Sequence, residues 1–245
     1  MAVIAVYSVK GGVGKTTIAA NLAWCSAMIS RRRTLLWDLD PAGGAAFLFG
    51  LAMPEEHKAA RLFAGKGDPR KSILASGFSR LDILPADESL RGLDSQLLAL
   101  GKRKRLAKLA DGLSREYERI ILDCPPALNE VSGQVIRAAD LVIVPLPASP
   151  LASRALETIR ADFAANHKKH PPILPVLSMY DARRRLHKQA REAAPQWPVI
   201  PMASLIEQVA DKRKPVGSFA PTSPQAQSFA RLWTAIERKL AERKS

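Results

Sequence analysis

Short apolar blocks separated by helical stretches organise this chain from end to end. The blocks fall at Val3–Ser8, Thr34–Asp38, Leu81–Pro85, Arg119–Asp123, Leu141–Pro145, Ile173–Ser178 and Pro198–Ile200, and each is predicted to be a strand. Helical spacing marks Lys15–Met28, Lys102–Glu116, Leu151–Asn166, Ala182–Ala194 and Pro224–Arg243. Blocks such as Ile120-Ile121-Leu122 and Leu141-Val142-Ile143-Val144 are apolar at consecutive positions. Strands buried on both faces read this way, as in parallel sheets covered by helices. The alternation therefore predicts the α/β class, with a mainly parallel twisted sheet flanked by helices. No repeat, low-complexity segment or linker divides the pattern, so residues 1–245 are expected to form one domain. Residues 54–80, rich in charge, Gly and small side chains, are expected to be a surface excursion. No separate DNA-reading domain is expected before residue 3.

Composition narrows the class. Hydrophobic residues make up 47% and charged residues 24% of 245 positions, as in a globular protein. No apolar stretch approaches the roughly 20 residues a membrane-spanning helix needs. The apolar start lacks a basic leader and reads as a strand, not a signal peptide. Cys25 and Cys124, the two cysteines, sit in apolar surroundings and are expected to be buried thiols, not a disulfide. Charge changes the picture more: 37 Lys and Arg face 23 Asp and Glu, a net +14. Such a surplus favours polyanions, either nucleic acid or an acidic membrane surface.

The chemistry begins at Lys10-Gly-Gly-Val-Gly-Lys-Thr-Thr17, between the first strand and the first helix. Its tail fits the phosphate-binding pattern G-x-x-x-x-G-K-[ST], with Val9 where the first Gly is expected. Gly11, Gly12 and Gly14, with Val13 among them, let backbone N–H groups surround a phosphate, and the following helix points its positive end at the anion. Lys15 is placed to reach β- and γ-phosphate oxygens and Thr16 to ligate Mg²⁺, with Thr17 beside it. Asp123, at the end of Tyr117-Glu-Arg-Ile-Ile-Leu-Asp123-Cys-Pro-Pro126, fits the strand-end carboxylate that holds the Mg²⁺ shell. In Trp37-Asp38-Leu-Asp40-Pro41 two carboxylates lie at i and i+2, on one side of a strand, so both can face one metal–phosphate centre.

With Lys10 present, the loop resembles the deviant phosphate loop K-G-G-x-G-K-[ST] of the ParA/MinD family of ATPases, a deviant Walker-A class of P-loop NTPase. Asp38–Pro41 is similar to that family's D-x-D-P segment, Tyr117–Pro126 to its Y-x-x-x-I-x-D-x-P-P segment, and Tyr180–Leu186 to its Y-D-x-R-x-x-L segment. The resemblance covers most of the chain. It implies an ATP-sandwich homodimer in which Lys10 touches the partner's phosphates, Asp40 orients the attacking water, and Asp38 supports the Mg²⁺ shell. Where relatives continue with Q-G-N, this chain reads Ala42-Gly43-Gly44, which implies altered loop contacts and slow hydrolysis. The base is expected near Ile200-Pro201-Met202 and Ser178-Met179-Tyr180-Asp181, with Pro201 and Met202 as contacts.

Between Arg160 and Pro215, eleven Lys and Arg (Lys168 and Lys169 among them) outnumber five acids. Arg183, Arg184, Arg185 and Lys188, with Lys212, Arg213 and Lys214 before Pro215-Val216, are expected to bind DNA without sequence preference. Lys102–Lys108 is a further basic stretch, either a patch or an exposed helix side. The last helix carries Phe229, Leu232, Trp233, Ile236 and Leu240 on one face, with Arg238, Lys239, Arg243 and Lys244 among the rest. Packing on the sheet is the favoured reading of that stripe, and lying on a membrane, as MinD's tail does, is the other.

Together these readings imply a cytoplasmic, nucleoid-associated ATPase that positions a chromosome, plasmid or other cargo and is stimulated by a ParB-like or cargo-adaptor protein. The competing reading is a BcsQ- or MinD-like ATPase that localises a membrane or secretion complex. A third is a scaffold locked on its nucleotide, against which the retained Lys15 and Asp40 weigh.

Overall fold

The computed structural model describes residues 1–52, 58–101, 103–166 and 170–243. Lys102, Lys168, Lys169 and Lys244, counted above among the basic positions, lie outside them. Among the described residues the strands are β1 (Ala2–Val6), β2 (Thr34–Asp38), β3 (Leu74–Ala75), β4 (Leu81–Leu84), β5 (Arg119–Asp123), β6 (Leu141–Pro147), β7 (Ile173–Tyr180) and β8 (Val199–Pro201). They form one sheet in the order β3-β4-β2-β5-β1-β6-β7-β8. Every pairing is parallel except the two-residue β3, which runs antiparallel to β4. That strand falls in the stretch expected to be a surface excursion, and two residues leave no periodicity to detect.

Side-chain alternation sends successive strand residues to opposite faces. Val3, Ala5, Leu35, Trp37, Ile120, Leu122, Val142 and Val144 pack with Leu97, Leu106, Val135, Ile159 and Phe163 from helices on one face. Ile4, Val6, Leu36, Ile121, Ile143, Leu174 and Val176 meet Ile18, Leu22, Val209, Val216, Phe229 and Ile236 on the other. The doubly buried strands are thus those with apolar residues at consecutive interior positions, while buried polar groups (Thr34, Asp38, Arg119, Asp123) sit at the ends of β2 and β5.

Helix Lys15–Met28 forms as its spacing predicts. Arg105–Gly112 is shorter than the expected Lys102–Glu116, and Arg185–Ala193 starts later than Ala182. The delay has a local cause: Asp181 Oδ1 accepts the Arg183 N–H at 3.0 Å, holding a turn that competes with helix. Glu130–Ala138 went unanticipated because Ser132 and Gly133 dilute its pattern; an Asn129–Ser132 capping box starts it.

Two tethers bear on the site. The Val216 N–H donates to Asn21 Oδ1 at 2.8 Å, fastening Pro215-Val216 to helix Lys15–Met28. Beside it, Gly217 lies under Trp24: a Cβ at 217 would stand 2.2 Å from Trp24 Cζ3. The final helix, Pro224–Glu242, buries Phe229, Leu232, Trp233, Ile236 and Leu240 against the sheet. Trp233 Nε1 donates to Ser30 Oγ at 2.7 Å, and Arg119 clamps Glu237 through two contacts of 3.0 and 2.9 Å. The stripe is core, so it offers no apolar face to a bilayer. Among the described residues no helix is long and apolar enough to cross a membrane. Cys25 and Cys124 are both buried and free, as expected.

Candidate nucleotide site

Strand β1 lies between β5 and β6, and the chain lays its next strands on both sides of it. In open α/β sheets such a reversal leaves a crevice beyond the carboxyl ends of the strands, where ligands bind. Residues 7–14 occupy this position. Gly12 and Gly14 take φ of 68° and 84°, left-handed values that favour glycine, and a Cβ at either would touch no atom within 4 Å. The backbone conformation, not crowding, therefore demands glycine there. Gly14 caps helix Lys15–Met28 with no side chain of its own, leaving first-turn N–H groups facing the loop. Val13 is buried and anchors the loop. Lys15 is only 7% exposed, and its Nζ donates to the Lys10 carbonyl at 3.3 Å. Lys10 donates its N–H to Ser8 Oγ, and its ammonium has no ion pair among the described residues. Thr16 and Thr17 are half-buried.

Asp38 and Asp123 end adjacent strands and face each other in register. Both are fully buried, but their partners differ. Asp38 Oδ1 accepts the Asp40 N–H and Oδ2 the Ala45 N–H, each at 2.9 Å. Its carboxyl therefore folds the 39–45 loop and starts the short helix Gly44–Leu48. Neither Asp123 oxygen has a hydrogen-bond partner of good geometry among the described residues. Burial pushes both groups above the usual carboxylate range, Asp38 to about 7; for Asp123 the Asp38 charge adds to the effect, while Thr16 and Lys15 oppose it. A buried carboxyl with unmet acceptors beside a threonine hydroxyl fits a hard cation. Among the described residues no three His, Cys, Asp or Glu form a cage, so such a cation draws its other ligands from phosphate and water. Asp40 is half-buried, beyond the strand end, with Oδ1 accepting the Ala42 N–H at 3.1 Å. The departure at 42–44 has a steric counterpart: a Cβ on Gly44 would lie 3.1 Å from Thr16 Cγ2.

A cleft of about 170 Å³ adjoins the loop, lined by Gly12, Thr17, Ser178, Ile200, Pro201 and Phe229 among others. Pro201, one of the two expected base contacts, is a wall of this cleft. Met202, the other, donates its N–H to the Tyr180 carbonyl and lines a neighbouring groove with Met179, Arg185 and Leu186. Ser178 lies in the second stretch expected near the base, whereas Phe229 reads as an ordinary helix residue and carries no sequence signal of a ligand role.

The basic residues form two exposed groups. Arg183 and Arg184 both reach Asp181, at 2.9 and 3.6 Å, and the Arg183 contact holds the Asp181 carboxyl well below its usual range. Arg185 and Lys188 have no ion pair among the described residues. Lys212 stands 5.5 Å over the Phe219 ring and Arg213 5.0 Å over Phe47, on the outside of the loop that Asp38 organises. Lys214 is exposed beside them. Of the Lys102–Lys108 stretch, residues 103–108 are a turn followed by a helix start, with Leu106 buried and Lys104 and Lys108 exposed.

Residues 1–174 match the family described as an AAA domain. The chain is 31% identical to the chromosome-partitioning ATPase Soj of Thermus thermophilus, over 98% of this chain and 96% of that one. It is 29% identical to the sporulation initiation inhibitor protein Soj of Bacillus subtilis, over 94% and 96%. Among solved structures, cobyrinic acid a,c-diamide synthase from Mycobacterium smegmatis, with bound ATP analogue and magnesium, superposes with a TM-score of 0.82 at 26% identity, covering 97% of this chain and 94% of that one.

Proposed function

We propose, from the premise that this chain belongs to the ParA/MinD family of ATPases, that it is an ATP-driven dimeric switch that positions a DNA or other cargo. It is an ATPase that uses ATP with Mg²⁺. The observation that carries the site assignment is the glycine cradle closed by buried Lys15 on one side and the unpartnered Asp123 carboxyl on the other.

Each residue then has a task. The Gly11–Gly14 backbone and the helix start receive the triphosphate. Lys15 exchanges the Lys10 carbonyl for phosphate oxygens. Thr16 and Asp123 hold the cation, and Asp38 stabilises its shell while keeping the Asp40 loop folded. Magnesium, when bound, neutralises charge building on the phosphate oxygens. Asp40 orients the attacking water. Lys10, whose ammonium has no ion pair among the described residues, reaches the nucleotide of a second copy in an ATP-sandwich homodimer. The groups Arg183–Lys188 and Lys212–Lys214 give the closed form a DNA-binding surface that answers to phosphate rather than to sequence, making the protein nucleoid-associated. A ParB-like or cargo-adaptor protein stimulates hydrolysis and resets the switch. The burial of the final helix weighs against the membrane-complex alternative. Residues 1–245 act as one domain in this scheme.

The test pairs nucleotide titration with DNA retention. Wild-type protein is expected to bind ATP and, with ATP, to retain DNA of unrelated sequences with steep salt sensitivity. Lys15→Ala should weaken ATP binding about ten- to 150-fold, the loss of one charge-assisted contact. Undiminished ATP binding by Lys15→Ala removes the loop from the mechanism, and DNA retention indifferent to nucleotide removes the switch.

A further inference from the structure

We propose that Phe47 is a positioning residue for DNA binding: its ring holds the Arg213 guanidinium ready for a phosphate and ties that arginine to the loop that Asp38 folds. The inference rests on the assignment of Lys212–Lys214 to the DNA-facing surface and names what places the central arginine there.

Three observations meet at this pair. First, Phe47 is 51% exposed near the end of the short helix Gly44–Leu48, and Arg213 Cζ stands 5.0 Å from the centre of its ring. Second, Arg213 ends helix Ser204–Lys212 in the left-handed region, with φ of 52° and ψ of 41°, where glycine is the usual residue. Third, the stem of Arg213 lies on the backbone at Gly50: a Cβ there would stand 3.4 Å from Arg213 Cδ and 3.5 Å from Arg213 Cβ.

A left-handed cap costs an arginine free energy that it would not cost a glycine. The side chain, not the backbone, therefore accounts for arginine at this position. A phenyl ring takes the face of a guanidinium, while the five N–H groups point outward in the guanidinium plane. The ring fixes the cation without neutralising it and leaves its fork free for two phosphate oxygens. Arg183 and Arg184 are held differently, by the Asp181 carboxylate, which competes with phosphate for the same N–H edges. Arg213 makes no such ion pair among the described residues.

The other end of the link is the nucleotide loop. Asp38 Oδ2 accepts the Ala45 N–H at the start of helix Gly44–Leu48, and the Gly50 N–H donates to the Phe47 carbonyl at 3.0 Å. Both surfaces that hold Arg213 thus belong to one turn whose fold is set by Asp38. When Asp38 and Asp40 engage the cation and the water, the loop they belong to is held in one place. Phe47 is held with it, and the ring passes that order to Arg213. The basic group gains most from the ring when ATP is bound.

The experiment measures retention of one DNA duplex by wild type, Phe47→Leu, Phe47→Tyr, Arg213→Ala and the double variant Phe47→Leu/Arg213→Ala. Each is titrated with ATP and without, at low salt where both affinities are measurable. With ATP, Phe47→Leu should weaken retention about two- to fivefold for each copy that engages the duplex, the range of one exposed cation–ring contact. Phe47→Tyr keeps the ring and should match wild type. In the Arg213→Ala background Phe47→Leu should cost nothing further, because the ring then has no cation to place. Without ATP the Phe47→Leu penalty should shrink. Four results overturn the proposal: retention by Phe47→Leu equal to wild type; a loss that Phe47→Tyr shares; a penalty undiminished when Arg213 is already alanine; or the same penalty with and without ATP. Arg213→Ala also separates this inference from the reading beneath it. If Arg213→Ala retains DNA as wild type does, the DNA reading of Lys212–Lys214 fails together with the inference; if it loses retention and Phe47→Leu does not, only the role of the ring is lost.

Discussion

Gly217→Ala sets two known effects against each other at one position. Gly217 lies in the helical turn Val216–Phe219 with an ordinary negative φ, so alanine's helix propensity favours the substitution by about 1 kcal/mol. Opposing this, the new Cβ would stand 2.2, 2.5 and 2.7 Å from Cζ3, Cη2 and Cε3 of Trp24. Ordinary contact begins at 3.4 Å, so the indole must retreat by about 1.2 Å, and it stands on the helix that starts with Lys15. Overpacking of this kind costs about 1–3 kcal/mol, which exceeds the propensity gain. In a chain of this size each kcal/mol moves the midpoint by about 2–4 °C, so a fall of up to about 8 °C is expected in thermal melts followed by circular dichroism. The sign should reverse once the clash is removed. All three atoms belong to the six-membered ring, beyond the reach of leucine, so in a Trp24→Leu background Gly217→Ala should stabilise by up to about 1 kcal/mol. An equal cost of Gly217→Ala in both backgrounds would refute the steric reasoning.

Further predictions concern chemistry. Asp40→Ala should lower ATP turnover by about 10²- to 10⁴-fold while ATP affinity stays within a few-fold, measured by phosphate release and titration; turnover near wild type would assign the water to another group. Replacing Arg183, Arg184 and Arg185 together with Ala should weaken DNA retention and reduce the slope of log affinity against log salt by up to about 2.7, with ATP affinity unchanged. Because burial raises Asp38 and Asp123 above their unfolded values, the nucleotide-free fold binds more protons than the unfolded chain. Its stability from this pair is therefore full below about pH 4 and lost as pH rises through about 7, the value for Asp38. Asp123→Asn should flatten the fall in melting temperature between pH 5 and 8; an unaltered slope would remove the pair as its source.

The sheet was readable because doubly buried strands leave unbroken apolar blocks, and the phosphate loop because glycine, lysine and threonine at fixed spacing have few other uses. What escaped detection follows the same logic in reverse. Strand β3 is too short to show a period, and Glu130–Ala138 carries Ser132 and Gly133 inside it. Asp38 and Asp123 look alike in sequence, yet one spends both oxygens on backbone N–H groups and the other has none. That difference depends on how the 39–45 loop folds, which no spacing rule encodes. Pro201 and Met202 are neighbours in sequence yet line different depressions, which no spacing rule separates. Arg213 adopts φ of 52° and stacks on Phe47, a pairing between segments more than 160 positions apart.

The clamp on the final helix has a dynamic consequence. Five apolar side chains buried at about 1.5–3 kcal/mol each amount to about 8–15 kcal/mol, comparable with the whole net stability of a folded chain. Detaching this segment is therefore equivalent to melting the molecule. Its amide protons should exchange with deuterium as slowly as those of the central strands, so this helix is among the last elements to open.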